Sequence, residues 1–216
     1  MIDINYLTVL IRSFILLFSD SLTVANGKRT TFLAIPINGG TEFPALSENL
    51  QRNLQHEKRN INWCKTDQIH LTLKFVGDTP DADVPKIIEA CQKVAKNHQP
   101  FTMDFNRTGI FGSNHSPRVL WLGMSEEPKA LYDLEEDILD AFDSVGYMRD
   151  RQNFVPHITV CRIKQLVDKQ YFQKIYQGIE QKTYLHADVN EIVYFQSFLQ
   201  PTGAYYKALR RIPLGK

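Results

Sequence analysis

Two short segments of this chain share the pattern His-apolar-Thr-apolar, and they constrain its fold more than any other feature. HLTLKF begins at His70 and HITVCR begins at His157. In a β-strand, residues two apart face the same side, so His70 shares a face with Thr72 and His157 shares one with Thr159. The apolar residues between them face the other way. Each segment therefore predicts a strand with a polar wall on one side and a hydrophobic core behind it.

Two such walls facing each other across a cleft would bring two imidazoles and two hydroxyls together. Because an unperturbed histidine titrates near pH ~6.5, one imidazole can act as general base while the other acts as general acid. Displacement at phosphorus needs this division, since one proton leaves the entering water and another reaches the departing oxygen. The threonine hydroxyls can hold the non-bridging oxygens. A single copy of the pattern more often marks an exposed strand, but its repetition favours a catalytic pair.

Motifs for other common chemistries are missing from the sequence, which contains no GxGxxG, P-loop, GxSxG or HExxH segment. The remaining histidines lack the spacing of metal ligands, and we expect all four at the surface. They are His56, His98, His115 and His186. The cysteines form no CxxC pair and suit reduced thiols in a cytoplasmic protein. They are Cys64, Cys91 and Cys161. We therefore expect neither a metal nor a cofactor.

The charge balance limits the nucleic acids that this chain could bind. Its 216 residues carry a formal net charge of +1, which gives no general attraction to a long polyanion. A nucleotide or a short RNA end could still bind through a local basic pocket. With 43% apolar and 23% charged residues, the composition is that of an ordinary globular protein, long enough to bury a core.

The first 28 residues differ in character from the rest. Their apolar segment, residues 7–18, is split by Arg12 and is shorter than the roughly 20 residues of a membrane span. Asp3 stands where a signal peptide carries basic residues. We interpret residues 1–28 as an extension of uncertain role, with an export signal or interfacial anchor as the second interpretation. We place a single domain at residues 29–216 and expect no stable membrane association.

Hydrophobic periodicity predicts mixed strands and helices along residues 29–216. Predicted helices cover residues 41–59, a segment from residue 81, the segment from Pro128 to Gly146, and residues 168–177. Two longer segments, FTMDFNRTGIF and ADVNEIVYFQSFL, are each predicted as one strand. Hairpin turns such as the one at residues 201–203 favour antiparallel pairing. We expect two lobes, each contributing one His-x-Thr strand.

These segments resemble the two-histidine (2H) phosphoesterase superfamily and, within it, the bacterial RNA 2′,3′-cyclic phosphodiesterases, also called 2′-5′ RNA ligases. HLTLKFVG is similar to the first motif of the family with its trailing glycine, and FVPHITVCR is similar to the second. RVLWLG resembles the strand between the motifs, and TFLAIPI resembles the opening strand. EIVYFQSFLQPTGAYYKALRRIPLG resembles the C-terminal hairpin. Residues 1–28 have no counterpart in the family pattern.

The resemblance implies an α+β fold of two pseudo-symmetric lobes, each a mainly antiparallel sheet with helices outside, around a central cleft. It implies a reaction that opens 2′,3′-cyclic phosphates of RNA 3′ ends or nucleotides to 2′-phosphates without a metal, with reversible 2′-5′ RNA ligation as a second reaction. We expect the protein to be a cytoplasmic monomer. His70 would donate a proton to the 3′ oxygen and His157 would accept one from water, although the sequence also allows the reverse. Thr72 and Thr159 would hold the phosphate.

Two further positions follow from the resemblance: Phe75 would stack on a base and Arg162 would contact the phosphate. Strict alternation puts both side chains on the apolar side of their strands. They reach the cleft only where a strand ends, twists or bulges. The same alternation places Lys74 on the face of His70, where we expect its charge at the rim of the cleft.

Other functions would use the same cleft. A 2′-5′ oligonucleotide phosphodiesterase or a 3′ RNA-trimming exonuclease would apply the same acid–base chemistry to another bond, and product lengths would separate these activities. A nucleotide-binding module without turnover would also keep the cleft. In that case, replacing His157 with alanine would leave its function unchanged.

Overall fold

The computed structural model describes residues 27–37, 40–149, 153–200 and 203–215. Most of the predicted extension therefore lies outside the described residues. Lys28 already belongs to the first strand, one residue before the domain start that the sequence predicts. No helix in the described ranges has the length and apolarity needed to cross a lipid bilayer.

Strands and helices follow one another along the described chain. The strands are β1 (Lys28–Pro36), β2 (Ile61–Trp63), β3 (His70–Pro80), β4 (Phe101–Phe105), β5 (Arg107–Ser113), β6 (Ser116–Gly123), β7 (Ile158–Ile163), β8 (Leu185–Val189), β9 (Glu191–Gln200) and β10 (Gly203–Pro213). The α-helices are α1 (Glu42–Asn53), α2 (Val84–Ala95), α3 (Lys129–Ser144) and α4 (Lys169–Gln177). Short 3-10 helical turns cover Gln55–Glu57 and Asp81–Asp83.

The described strands form three sheets, and each strand pair is antiparallel. Sheet A has the order β10-β9-β1-β3, sheet B has the order β2-β7-β6-β5, and sheet C pairs β4 with β8. This arrangement confirms the predicted α+β class with antiparallel sheets. The two His-x-Thr segments lie in different sheets, because β3 is an edge of sheet A and β7 is an inner strand of sheet B.

Sheets A and B repeat one three-strand arrangement. In sheet A, β3 pairs with β1 and β1 pairs with β9, and in sheet B, β7 pairs with β6 and β6 pairs with β5. The lobes are interleaved along the chain, since β2 lies between β1 and β3 in sequence but belongs to sheet B. One continuous hydrophobic cluster joins the strands of both sheets to the helices. The two walls therefore rest on a shared core.

The structure corrects both long strand predictions. FTMDFNRTGIF is divided at Asn106 into β4 of sheet C and β5 of sheet B. The N–H of Asn106 donates to the carbonyl of Gly123 (2.9 Å), and its side-chain oxygen accepts from the N–H of Ser125 (2.8 Å). The other segment is divided at Asn190, whose carbonyl accepts from the N–H of Leu214 (2.8 Å). Asparagine suits such corners because its side chain and backbone can replace lost ladder bonds.

The ends of two helices are tied together by a buried carboxylate. Helix α1 ends at Asn53, earlier than predicted, and the chain continues through the 3-10 turn that contains Glu57. Glu57 accepts hydrogen bonds from the backbone N–H groups of Val167 (2.7 Å) and Asp168 (2.9 Å). Asp168 then caps α4 by accepting from the N–H of Tyr171 (2.8 Å). Helices α2 and α3 pack on each other, α2 against β9 and β10 and α3 against β3.

Candidate active site

A bulge in β3 decides which side chains join His70 on its face of sheet A. Thr72 lies opposite Ala34 in β1, whereas Lys74 lies opposite Leu33, so Leu73 is an extra residue without its own partner. Directly opposed residues project to the same face. The bulge therefore reverses the alternation after Leu73, and both Leu73 and Lys74 are buried on the core side.

This reversal corrects the prediction for Lys74 and brings Phe75 to the wall. The Lys74 side chain is 4% exposed, and its ammonium donates to the backbone carbonyl of Met148 (3.0 Å) rather than lying at a cleft rim. Phe75 lies opposite Phe32, whose ring is 4.9 Å from the ring of His70. Phe75 thus shares the face of His70, which strict alternation alone excluded.

The second motif carries the same bulge at the same distance from its histidine. Thr159 lies opposite Trp121 in β6 and Cys161 lies opposite Leu120, so Val160 is the extra residue. The reversal buries Cys161 completely. It also turns the exposed Arg162 to the face of His157 and Thr159, so Arg162 takes the place that Phe75 takes in sheet A.

The two histidine rings are held in the same way. Nδ1 of His70 lies 3.0 Å from the carbonyl of Gln68, and Nδ1 of His157 lies 2.7 Å from the carbonyl of Val155. A carbonyl can only accept, so Nδ1 carries the proton and donates it in both rings. In the neutral ring Nε2 is then the nitrogen with a free lone pair. Each ring is half-buried and has one nitrogen available to a ligand.

Electrostatics keep both rings neutral at pH 7 when no ligand is bound. Burial lowers the pKa of His70 to about 4, the hydrogen bond to Gln68 opposes this shift, and Arg162 and His157 lower the pKa further. Burial also lowers the pKa of His157, again with a contribution from Arg162. An anion bound between the rings would raise both pKa values, because it favours the charged form of each imidazole.

The same interactions show that the two walls meet. Strands β3 and β7 contact each other although they belong to different sheets. His157 and Arg162 of sheet B both act electrostatically on His70 of sheet A, and Arg162 also acts on Tyr206 of β10. The structure therefore brings the two histidines and Arg162 together, with Thr72 and Thr159 half-buried on the same two faces.

The rings of Tyr206, Phe195 and Phe32 beside His70 were not identified from the sequence. The ring of Tyr206 meets the His70 ring edge-on at 5.0 Å, and the ring of Phe195 lies 6.2 Å from it. Phe75, Phe32 and Phe195 form one cross-strand row on β3, β1 and β9. Their periodicity places them on strands, but only the register of three distant strands shows that they form a common wall.

A second group of rings surrounds His157. The ring of Phe111 meets His157 edge-on at 4.8 Å, and the Trp121 ring lies 6.4 Å from it. The indole of Trp121 covers two glycines, since a Cβ atom on Gly109 would lie 2.0 Å from it and one on Gly123 would lie 2.9 Å from it. Within the described residues, the buried Nε1 of Trp121 has no hydrogen-bond acceptor. Glycine at both positions allows the indole to form a floor under His157.

The described residues form no cluster of metal-ligating side chains. They contain no group of three or more His, Cys, Asp or Glu side chains placed to hold an ion. His186 is exposed and pairs with Asp104 (2.7 Å), as a surface residue would. His98 was predicted to be a surface residue, but its side chain is only 12% exposed and its Nε2 lies 2.8 Å from Asp137.

Comparison with known proteins gives the family. A family model described as LigT-like phosphoesterase matches residues 41–121, a range that includes His70 and Thr72. An RNA 2′,3′-cyclic phosphodiesterase of Aquifex aeolicus is 30% identical over 71% of this chain and 81% of the relative. One of Archaeoglobus fulgidus is 31% identical over 69% of this chain and 82% of the relative. The chain belongs to the RNA 2′,3′-cyclic phosphodiesterase family.

Solved structures share the fold of this family member. A protein of Thermus thermophilus superposes with a TM-score of 0.68 at 23% identity, over 87% of this chain and 99% of that protein. Escherichia coli LigT in its apo form superposes with a TM-score of 0.65 at 20% identity, over 88% of this chain and all of LigT. The interleaved arrangement of sheets A and B is therefore the fold of LigT-like phosphoesterases.

Proposed function

We propose that this protein hydrolyses 2′,3′-cyclic phosphates at RNA 3′ ends or on nucleotides and leaves a 2′-phosphate. The observation that carries this proposal is the matched pair of histidines. Each is fixed through Nδ1 to the carbonyl two residues earlier, and each keeps Nε2 for the substrate. Two such nitrogens on facing walls fit the two proton transfers of an in-line displacement at phosphorus.

The aromatic row on sheet A supports one orientation of the substrate. Phe75 and Phe195 are part-exposed and offer a surface on which a nucleobase can stack, with Phe75 as the proposed stacking residue and the buried Phe32 between them. A nucleoside held there keeps its 3′ oxygen on the side of His70. In-line attack then brings water from the opposite side, where His157 lies. We therefore assign His70 as the proton donor and His157 as the proton acceptor.

The negative charge of the substrate allows the proton donor, His70, to become protonated. Both imidazoles have lowered pKa values without ligand, yet the donor must be protonated. A phosphodiester anion beside His70 raises its pKa and lets it bind the proton that it later transfers. Thr72, Thr159 and Arg162 would hold the non-bridging oxygens, where charge grows in the transition state.

The reaction can be tested directly with a 2′,3′-cyclic mononucleotide in the presence of excess chelator. We expect a nucleoside 2′-phosphate, and we expect His70→Ala and His157→Ala each to lower kcat by at least ~100-fold. A product that disappears on chelation, or an unchanged rate in His157→Ala, would contradict the proposal. Absence of any product from the wild type would favour a binding module without turnover, and shortened strands from an oligonucleotide would favour a trimming exonuclease.

A sulfur substitution distinguishes the donor from the acceptor. In a substrate whose 3′ bridging oxygen is replaced by sulfur, the departing thiolate needs no proton because a thiol is far more acidic than an alcohol. His70→Ala should recover most of its lost rate on this substrate, whereas His157→Ala should not. Recovery in His157→Ala instead would reverse the two roles.

One chain supplies the complete site, so we propose that a monomer is active. Both motifs and Arg162 come from the same polypeptide, which supports this proposal. The cysteines are free thiols, with Cys91 and Cys161 buried and Cys64 half-buried. Free thiols fit the reducing cytoplasm, which we propose as the site of action. Size-exclusion chromatography with activity across the eluted peak tests the monomer.

A further inference from the structure

Of the described aromatic rings beside His70, only that of Tyr206 carries a hydroxyl. Tyr206 of β10 lies opposite Ser197 of β9, which is two residues from Phe195, so Tyr206 faces the cleft as Phe195 does. Its half-buried ring meets the rings of His70 and Phe32 edge-on, at 5.0 Å and 5.1 Å. These contacts place the ring on the wall of sheet A, and neither of them is a hydrogen bond of the hydroxyl.

The hydroxyl of Tyr206 lies on the side of sheet B. Burial raises the pKa of Tyr206, Cys64 raises it further, and the guanidinium of Arg162 lowers it. An ionised tyrosine carries its charge mainly on oxygen, and Coulomb interactions weaken with distance, so the oxygen is the atom close to these two residues. Arg162 lies in β7, and the N–H of Cys64 donates to the carbonyl of Val160 in the same strand (3.0 Å). Tyr206 therefore reaches from sheet A toward the proposed phosphate-binding arginine of sheet B.

Among the described residues, the Tyr206 hydroxyl has no hydrogen-bond partner. By contrast, the hydroxyls of Tyr147, Tyr184 and Tyr194 each make a hydrogen bond of 2.7 Å within the fold. The oxygen of Tyr206 is open to solvent, since Nε1 of Trp121 is the one buried side-chain polar atom without a partner in the described ranges. Because the pKa of Tyr206 is raised, the phenol keeps its proton at pH 7 and is a free donor in the cleft.

A donor at this place has a role in the reaction proposed above, and this role rests on that proposed function. The reacting phosphorus would lie between His70 and His157, and the ring of Tyr206 contacts the first of these. Negative charge grows on the non-bridging oxygens as water adds to phosphorus. A hydroxyl that lies near both His70 and Arg162 is placed to donate to the oxygen that the guanidinium would bind.

We propose that Tyr206 is a further catalytic residue, whose hydroxyl donates a hydrogen bond to the non-bridging phosphate oxygen that Arg162 binds. In the reaction, the oxygen of water forms a bond to phosphorus while the bond from phosphorus to the 3′ oxygen breaks. His157 takes a proton from the water, and His70 gives its proton to the 3′ oxygen. Tyr206 keeps its own proton throughout, and its hydrogen bond strengthens as the acceptor gains negative charge.

The variant Tyr206→Phe tests this role because it removes the hydroxyl and keeps the ring. With a 2′,3′-cyclic mononucleotide we expect kcat to fall at least ~10-fold and KM to change less than ~3-fold, because the donor acts mainly in the transition state. Stability in urea should not fall, since the hydroxyl has no partner within the described fold. Tyr205→Phe is the matched control. Tyr205 is 42% exposed and lies opposite Phe198 on the other face of the hairpin, so this variant should keep both kinetic constants.

A sulfur substitution shows whether the hydroxyl touches the phosphate. The two diastereomers of a 2′,3′-cyclic phosphorothioate each carry sulfur in place of one non-bridging oxygen. Because sulfur is a weak hydrogen-bond acceptor, the diastereomer whose sulfur faces Tyr206 should react more slowly than the oxygen substrate. This slowing should shrink at least ~5-fold in Tyr206→Phe, whereas sulfur at the other position should have the same effect in both proteins.

The outcomes distinguish the role of Tyr206 from the proposed function. An unchanged kcat in Tyr206→Phe, or an equal loss of kcat in Tyr205→Phe, would overturn the catalytic role. A lower kcat in Tyr206→Phe with both sulfur effects unchanged would also overturn it, because the hydroxyl would then act through His70 and not on the phosphate. Failure of the wild type to hydrolyse the oxygen substrate would instead overturn the proposed function.

Discussion

We expect both imidazoles of the site to be neutral at pH 7 when no ligand is bound. Burial lowers the pKa of His70 to about 4 and lowers that of His157 as well. His186 provides an internal comparison, because its hydrogen bond to Asp104 raises its pKa above the ordinary value of 6.5. A single pH titration of the protein should therefore give midpoints below 6.5 for His70 and His157 and a midpoint above 6.5 for His186.

The lowered pKa of His70 makes the free energy of unfolding depend on pH, by an amount that can be calculated. As the pH falls, the unfolded chain binds a proton at a pKa of 6.5, whereas folded His70 binds one only near 4. The contribution of His70 to stability is therefore complete above pH ~6.5 and is lost as the pH falls toward 4. Between pH 7 and pH 5, the free energy of unfolding should fall by about 2 kcal/mol through His70 alone.

Two measurements check this value. Histidine ring shifts in ¹⁵N-labelled protein should give a midpoint near 4 for His70 and a midpoint below 6.5 for His157. Urea unfolding at pH 7 and pH 5 should show that His70→Gln, which does not titrate, loses about 2 kcal/mol less than the wild type between the two pH values. Equal losses in both proteins, or a His70 midpoint at 6.5 or above, would refute the reasoning.

Adding a ligand extends the same titration. Inorganic phosphate or a nucleoside 2′-phosphate should raise the midpoints of both site histidines, because each anion favours imidazolium. His186 lies outside the site, so its midpoint should stay constant. If phosphate at saturating concentration changes the titration midpoint of neither His70 nor His157, the two rings do not share an anion.

Three further changes probe the walls of the site. Lys74→Ala should lower the free energy of unfolding by about 2 kcal/mol in urea, since it removes the hydrogen bond that the charged ammonium donates to the Met148 carbonyl, and it should leave KM unchanged. Gly109→Ala should displace the Trp121 indole from a position 2.0 Å from the new Cβ atom, and a kcat within twofold of wild type would show that the floor has no role. Phe75→Leu should raise KM for a cyclic nucleotide about tenfold with little change in kcat, from the loss of roughly 1–3 kcal/mol of base stacking, and an unchanged KM would remove Phe75 from the nucleotide site.

The sequence alone determined the local features of the two walls. A two-residue period needs no partner strand, so it correctly placed His70 with Thr72 on one face. Residues with helical spacing likewise predicted α2, α3 and α4 close to their observed ranges. The repeated motif and the segments around it also identified the family. These features depend on neighbouring residues of the chain, which the sequence displays directly.

The register of the strands and the burial of their side chains depend on partners that are distant in sequence. Only the tertiary structure could therefore determine them. The bulges at Leu73 and Val160 exist because β1 and β6 offer one fewer residue than β3 and β7, and they moved Phe75, Lys74 and Arg162 to the opposite faces from those that alternation predicts. Long-range pairing also divided two predicted strands at asparagine corners. The lowered histidine pKa values arise in the same way, since burial by side chains distant in sequence, such as Tyr206 beside His70 and Phe111 beside His157, disfavours the charged rings.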